Sequence, residues 1–451
     1  MRRAIYLLVV VAMLLTMLAG CGGSTSEPKN PDTQSGKPSS TPDSTSGGQT
    51  SANEEPFVIR VNSNQKSDAE LKQLNEAIKR FNVKYPNATV EVDTGVDTGD
   101  WSDYAQRLLT QIASGEKPDI VWMAVEGIRF LADNECISPL DEYIAKNTSL
   151  KTQLDDVDPM VLKCFEYDSK LWAVPLGWNN CMIIYNTAMF KKAGIEPNPK
   201  WTWAEFVETA KKLTVNEGGN QQWGFAMGPY LSNYQIFMVN NDAYNMNDTW
   251  DGSRWAEPNT IETMQYMYDL IHTHKVMPLP EFNVNYLDMF MAGRIAMITS
   301  GAWNIKSFKE KGFTDYDFIP VPVNKTNGTS YGADGFALVK GSVHSEAAVE
   351  LIRELTGPEI QNLIAELGTS VPASRTAAYS EAFLSSSPSA HIMYDSLKWD
   401  NVKVIPSPTF YPEMNDSFSR HWGAALSGEK SVEQAMLDID KETKDMIAKS
   451  K

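Results

Sequence analysis

The chain has 451 residues, and its 57 Asp and Glu outnumber 40 Lys and Arg to give a formal net charge of −17. A body this acidic is not built to seek nucleic acid or an anionic bilayer. The length admits two domains of ordinary size, and four cysteines in so long a chain argue against a disulfide framework.

Arg2 and Arg3 precede an almost wholly apolar run over 4–18, which marks residues 1–20 as a secretory leader to set aside before fold reasoning. Leu18-Ala19-Gly20-Cys21 looks like a lipobox, where cleavage precedes Cys21 and two acyl chains anchor the mature chain to the membrane. A plain leader with an incidental cysteine is the competing reading. Residues 21–55 are rich in Ser, Thr, Gly, Pro, Asp and Gln and cannot bury enough apolar surface to fold. They predict a flexible tether reaching on the order of 30–35 Å. With Cys21 lipidated, Cys136, Cys164 and Cys181 remain, and free thiols are expected over a bridge.

The body opens with a strand over 57–61 and a helix marked by the Ser67-x-x-Glu70 capping box, with Leu71, Leu74, Ile78 and Phe81 on its apolar face. A strand over 88–92, a helix over 101–113 and a short apolar strand over 118–122 follow. This alternation implies an α/β fold with mostly parallel sheets and right-handed crossovers. Ligands on such sheets meet the loops past the carboxyl ends of strands. Those loops, 62–65, 94–100 and 122–126, carry Asn62, Asn64, Asp97, Asp100, Trp122 and Glu126, with solvated loop polarity as the alternative use.

Further along, the turn at 168–170 leads through Trp178 and Asn179 into a strand over 181–186. Thr202 and Glu205 form a second capping box ahead of a helix over 203–213, where Trp201 and Trp203 are expected to be structural. A strand over 223–227 precedes Tyr230, a cleft candidate at a helix entrance, and an amphipathic helix covers 260–274. Residues 289–303, MFMAGRIAMITSGAW, read as a helix end, a glycine stop, a buried strand and a second glycine presenting Trp303. That indole sits where open sheets place ligands, with core packing as its competing use; Trp178 has the same two readings. A strand over 316–323 comes next. Residues 331–340 read as a glycine-rich loop feeding a strand, where Asp334 can accept from hydroxyls and backbone approaches a ligand closely. Helices over 345–355, 358–367 and 431–449 follow, with Tyr411 a further cleft candidate.

Phe290, Gly293, Ala296, Met297, Gly301 and Trp303 fit the F-x-x-G-x-x-A-M-x-x-x-G-x-W signature of sugar-type extracellular solute-binding proteins, the receptors of ABC importers. Asp168 to Pro175 with Tyr185-Asn186 resembles that family's D-G-K-L-x-x-x-P…Y-N passage, with Ser169 in place of the usual glycine. Thr202-Trp203-x-Glu205-Phe206 and Thr369-Ser370-Val371-Pro372 resemble further elements of it, so the likeness covers about 56–449. The resemblance implies a two-domain periplasmic-binding-protein-like fold joined by a three-segment hinge. It divides the body into an N-terminal lobe, 56–170 plus 335–371, and a C-terminal lobe, 171–334 plus 372–451.

No catalytic elbow, zinc motif or phosphate-binding glycine loop is present, and His272 and His274 point apart on their predicted helix. No cofactor or metal is expected. The expected function is a lipid-anchored receptor that closes on a carbohydrate and delivers it to permease subunits. A ligand sensor signalling to a membrane kinase and a glycoside-acting enzyme are the alternatives. The predicted ligand-binding set is Asn62, Asn64, Asp97, Trp122, Glu126, Trp178, Asn179, Tyr230, Trp303, Asp334 and Tyr411.

Overall fold

The structure is a computed structural model and describes residues 55–95, 101–217 and 220–450. The leader, Cys21, the tether up to residue 54, Asp97 and Asp100 lie outside those residues.

Strand Phe57–Asn62 pairs in parallel with Ala88–Asp93 on one side and Ile120–Ala124 on the other. Helix Asp68–Lys84 makes the first crossover, and both halves of its capping box form: Ser67 accepts from the Glu70 N–H, and the Glu70 carboxylate accepts from the Ser67 N–H. Helix Trp101–Ala113 makes the second, burying Tyr104, Leu108 and Ile112. These units are the α/β alternation expected from the sequence.

Beyond these parallel strands the sheet alternates in direction. The long strand Gly328–Val339 lies antiparallel to Ile120–Ala124 and to Val174–Asn180, which in turn pairs antiparallel with Val371–Pro372. The path across the sheet is therefore Val371–Pro372, Val174–Asn180, Gly328–Val339, Ile120–Ala124, Phe57–Asn62, Ala88–Asp93. The expected lobe boundaries at 170/171, 334/335 and 371/372 fall just ahead of Val174–Asn180, within Gly328–Val339 and within Val371–Pro372, and these three are neighbouring strands. Such a strand brings the chain back against its parallel partners, so the sheet is mixed. A second, three-stranded sheet sets Met182–Asn186 antiparallel between Met297–Ser300 and Tyr316–Ile319.

Two local expectations change. The glycine-rich stretch expected as a loop before a strand is itself strand, because Gly328–Val339 is continuous through it with an irregularity between Asp334 and Gly335. Gly335 suits this close pairing, since a Cβ there would stand 2.4 Å from the Val174 carbonyl oxygen. The expected loop 122–126 is also absent: Ile120–Ala124 runs directly into helix Val125–Asp133, which puts Glu126 in a helix's first turn. The 223–227 stretch is not a regular strand: it forms isolated parallel bridges, Trp223 with Ile295 and Ala226 with Ile298, and the Phe225 N–H donates to the Val276 carbonyl at 3.1 Å.

Two hydrophobic clusters fill the body. One lies between the large sheet and its helices and includes Ile59, Phe81, Leu131, Phe165 and Leu351. The other gathers Phe206, Phe225, Phe237, Met267, Phe418 and Met436. Trp201 donates its indole N–H to the Pro320 carbonyl at 2.8 Å, and Trp203 stacks on Tyr266 at 4.0 Å, so both serve packing. Cys136, Cys164 and Cys181 are free and buried. Among the described residues no helix is long and apolar enough to cross a membrane.

Candidate functional site

A cavity of about 450 Å³ opens where the strand ends of the large sheet meet the Met297–Ser300 segment and the start of helix Tyr411–Leu426. Its walls come from separate stretches of chain that only the tertiary fold brings together.

Trp122 and Ala124, two apart on one face of their strand, form part of one wall. Phe336 pairs with Trp122, so Asp334 is diagonal to the indole, and Trp122 Nε1 donates to Asp334 Oδ2 at 2.8 Å. Trp101, the first residue of its helix, meets Trp122 edge-on with centroids 4.8 Å apart. Glu126 lines the cavity from the first turn of its helix, Glu70 from the first turn of helix Asp68–Lys84, and Gln65 from the stretch ahead of that helix.

Trp303 also lines the cavity, from the 3-10 turn Ala302–Asn304 that follows Met297–Ser300. Gly293 stops the preceding helix at φ 71°, as its motif position suggested. The second glycine has a different task. A Cβ on Gly301 would fall 2.1 Å from Trp303 Cζ3 and 2.8 Å from the Asn180 carbonyl oxygen, so the indole packs directly against bare backbone. Tyr230 is supported in the same way, for a Cβ on Gly228 would come within 2.9 Å of two of its ring carbons. Tyr411 and Asn415, from the first turns of helix Tyr411–Leu426, complete this side.

Asn179 lies on the strand Val174–Asn180 and donates Nδ2 to Ser370 Oγ at 2.8 Å, while its buried Oδ1 has no hydrogen-bond partner among the described residues. A buried acceptor of this kind is costly until a donor meets it.

Of the predicted residues, Trp122, Glu126, Asn179, Tyr230, Trp303, Asp334 and Tyr411 line one cavity. Trp178 does not. It is fully buried, packed edge-on against Tyr331 and Tyr394 at 6.1 and 5.7 Å. Successive strand residues face opposite sides, so with Asn179 on the cavity side Trp178 faces the core. Asn62 is also internal: its side chain accepts from Tyr104 Oη at 2.6 Å and donates to Asp93 at 3.1 Å. Asn64 is not among the lining residues, and Asp97 lies outside the described ones.

Gln65, Glu70, Trp101, Ser370 and Asn415 line the cavity without having been singled out as candidates. Glu70 was concealed by its second role, because the capping box accounts for it fully in sequence. In the structure one carboxylate oxygen caps the helix and the other takes a 2.5 Å contact from Lys306. Trp101 had a usable signal, since it begins the helix directly after one of the strand-end loops.

Three carboxylates, Glu70, Glu126 and Asp334, line the cavity, and none of the described lining residues is Lys, Arg or His. Burial opposes ionisation of Glu70, but the adjacent Lys306 ammonium and hydrogen bonds from Ser67 outweigh it and hold the carboxyl below its ordinary range. Asp334 goes the other way: burial pushes it up to about 7, against the Trp122 N–H and aided by the Glu70 charge. The Cys181 thiol in the wall is pushed up to about 12 by burial and by Glu126, so it stays protonated at neutral pH. Indole and phenol faces ringed by neutral and acidic hydrogen-bonding groups match an uncharged polyhydroxylated solute and disfavour an anion.

A family model described as bacterial extracellular solute-binding protein matches residues 65–362. The chain is 27% identical to a maltotriose-binding protein of Pyrococcus abyssi over 276 residues, 59% of this chain and 57% of that protein. It is 26% identical over 309 residues to an arabinooligosaccharide-binding protein of Bacillus subtilis, 64% of this chain and 66% of that one. The chain thus spans under two thirds of the length of these two relatives. Its fold is that of an ABC substrate-binding protein from Listeria monocytogenes solved with cycloalternan, with a TM-score of 0.77 and 24% identity over 88% of this chain and 99% of that one.

Proposed function

The chain belongs to the bacterial extracellular solute-binding protein family, and on that premise we propose that it captures a neutral oligosaccharide in the cavity walled by Trp101, Trp122 and Trp303. The observation that carries this reading is the pairing of aromatic faces with hydrogen-bonding groups around one cavity, including the buried Asn179 Oδ1 that has no partner among the described residues. Sugar rings present C–H patches to indoles and hydroxyls to amides and carboxylates. The oligosaccharide-binding relatives support the same class of ligand.

Capture works by closure. The body divides into lobes 56–170 plus 335–371 and 171–334 plus 372–451, and ligand favours the closed form through contacts it makes with both. Adjacent crossing strands support this division, since a hinge of neighbouring segments bends as one. The closed receptor, held at the membrane by lipid on Cys21 and a flexible tether, hands its sugar to the permease subunits of an ABC importer.

The test is a thermal-shift screen of the body, residues 56–451, against neutral glycans that include maltotriose and arabino-oligosaccharides, followed by calorimetry of the hits. Ligand at a hundred times its Kd adds about 2.7 kcal/mol of stability. A screen in which no glycan raises Tm while another class of solute does overturns the carbohydrate reading.

A further inference from the structure

Phe282 is 58% exposed, an unusual state for a phenyl ring, on the stretch that precedes helix Tyr286–Met291. The stretch is pinned: Tyr286 Oη accepts from the Glu281 N–H at 2.9 Å and donates to the Leu279 carbonyl at 3.4 Å. Phe282 meets Tyr230 edge-on, with centroids 5.7 Å apart and planes at 83°. Tyr230 in turn lines the cavity, its ring held against Gly228. Aromatic surface therefore continues from the cavity wall outward through Tyr230 to Phe282, with Leu279, 47% exposed, on the same pinned stretch.

We propose that Phe282 forms an outer subsite, taking the C–H face of a sugar unit that extends past the filled cavity. This rests on the carbohydrate reading and adds that the ligand is longer than the cavity holds. Continuity with Tyr230 sets the occupant: a chain whose inner units lie against Tyr230 meets Phe282 next. A phenyl offers an apolar face without hydrogen bonds, so the outer subsite selects for length and not for linkage or hydroxyl pattern.

The experiment is a calorimetric titration of the body with ladders of linear malto-oligosaccharides and arabino-oligosaccharides of two to seven units, for wild type, Phe282→Ala and Phe282→Trp. Wild type gains about five- to tenfold in affinity on the step past the cavity-filling length. Phe282→Ala removes that step, keeps the shorter ligands within twofold and leaves Tm unchanged; Phe282→Trp retains the step. The proposal is overturned by a wild-type ladder with no such step, or by Phe282→Ala keeping it. Equal loss at every length overturns it too, because Phe282 then acts by holding Tyr230. Wild type that binds neither ladder overturns the proposed subsite by itself, whereas the carbohydrate reading falls only if the wider glycan screen fails as well.

Discussion

Removing the Trp303 indole tests the site most directly. Trp303 is 36% exposed, and a tryptophan offers about 150–250 Å², so roughly 55–90 Å² of ring is available for a sugar to cover. At about 25 cal/mol per Å² that contact contributes about 1.4–2.2 kcal/mol, or about ten- to fortyfold in Kd. Trp303→Ala is therefore expected to weaken glycan binding by that factor. The fold should be spared, because the exposed indole rests on Gly301 and its loss leaves a groove in place of an enclosed void. Calorimetry with the tightest glycan from the screen gives Kd, and far-UV circular dichroism with a melting curve checks the fold. A variant that folds like wild type and binds within twofold of it refutes the reasoning.

Gly301→Ala should lose affinity as Trp303→Ala does, though the indole remains, because the added Cβ occupies the space of Cζ3 and displaces the ring. Its φ of −125° suits alanine, but the added Cβ also meets the Asn180 carbonyl oxygen at 2.8 Å; a double variant that binds no worse than Trp303→Ala in the same titration assigns the loss to the ring, and a further loss assigns part of it to that backbone contact. Asp334 is raised to about 7 in the fold from near 3.9 unfolded, so it favours folding below the unfolded value and loses that contribution as pH climbs toward 7. Urea unfolding should show Asp334→Asn gaining on wild type by about 2–3 kcal/mol between pH 5 and 7, and parallel pH profiles would contradict this. Lys306→Met leaves Glu70 charged and largely buried, and should cost about 1–3 kcal/mol at pH 7. Glu70 is lowered in the fold, so its contribution is present above the unfolded carboxylate value and lost as pH falls through the folded one; the cost of Lys306→Met should shrink in acid, and an equal cost at pH 3 would count against the pairing.

Local chemistry is what a sequence displays most openly. Both capping boxes, Ser67 with Glu70 and Thr202 with Glu205, form as their spacing predicts, because each joins atoms within one turn. Helices Ser345–Leu355 and Pro358–Leu367 match their expected bounds for the same reason. Strand direction was harder, since the antiparallel return of Gly328–Val339 depends on partners over 150 residues away. Trp178 and Asn179 show the limit within a single strand. Alternation requires that they face opposite sides, but the face that meets the cavity is set by what packs on the sheet.

The sequence by itself determined the α/β units, their caps and stops, the family signature around Trp303 and the acidic, aromatic-rich character of the body, all of which follow from neighbouring residues and composition. Only the tertiary structure decided that Trp101 joins Trp122 and Trp303 while Trp178 goes to the core, and that Glu70 meets Lys306. It also brought Asp334 to the Trp122 indole. Those outcomes rest on contacts between segments distant in the chain, whose geometry exists only once strand order and packing are complete.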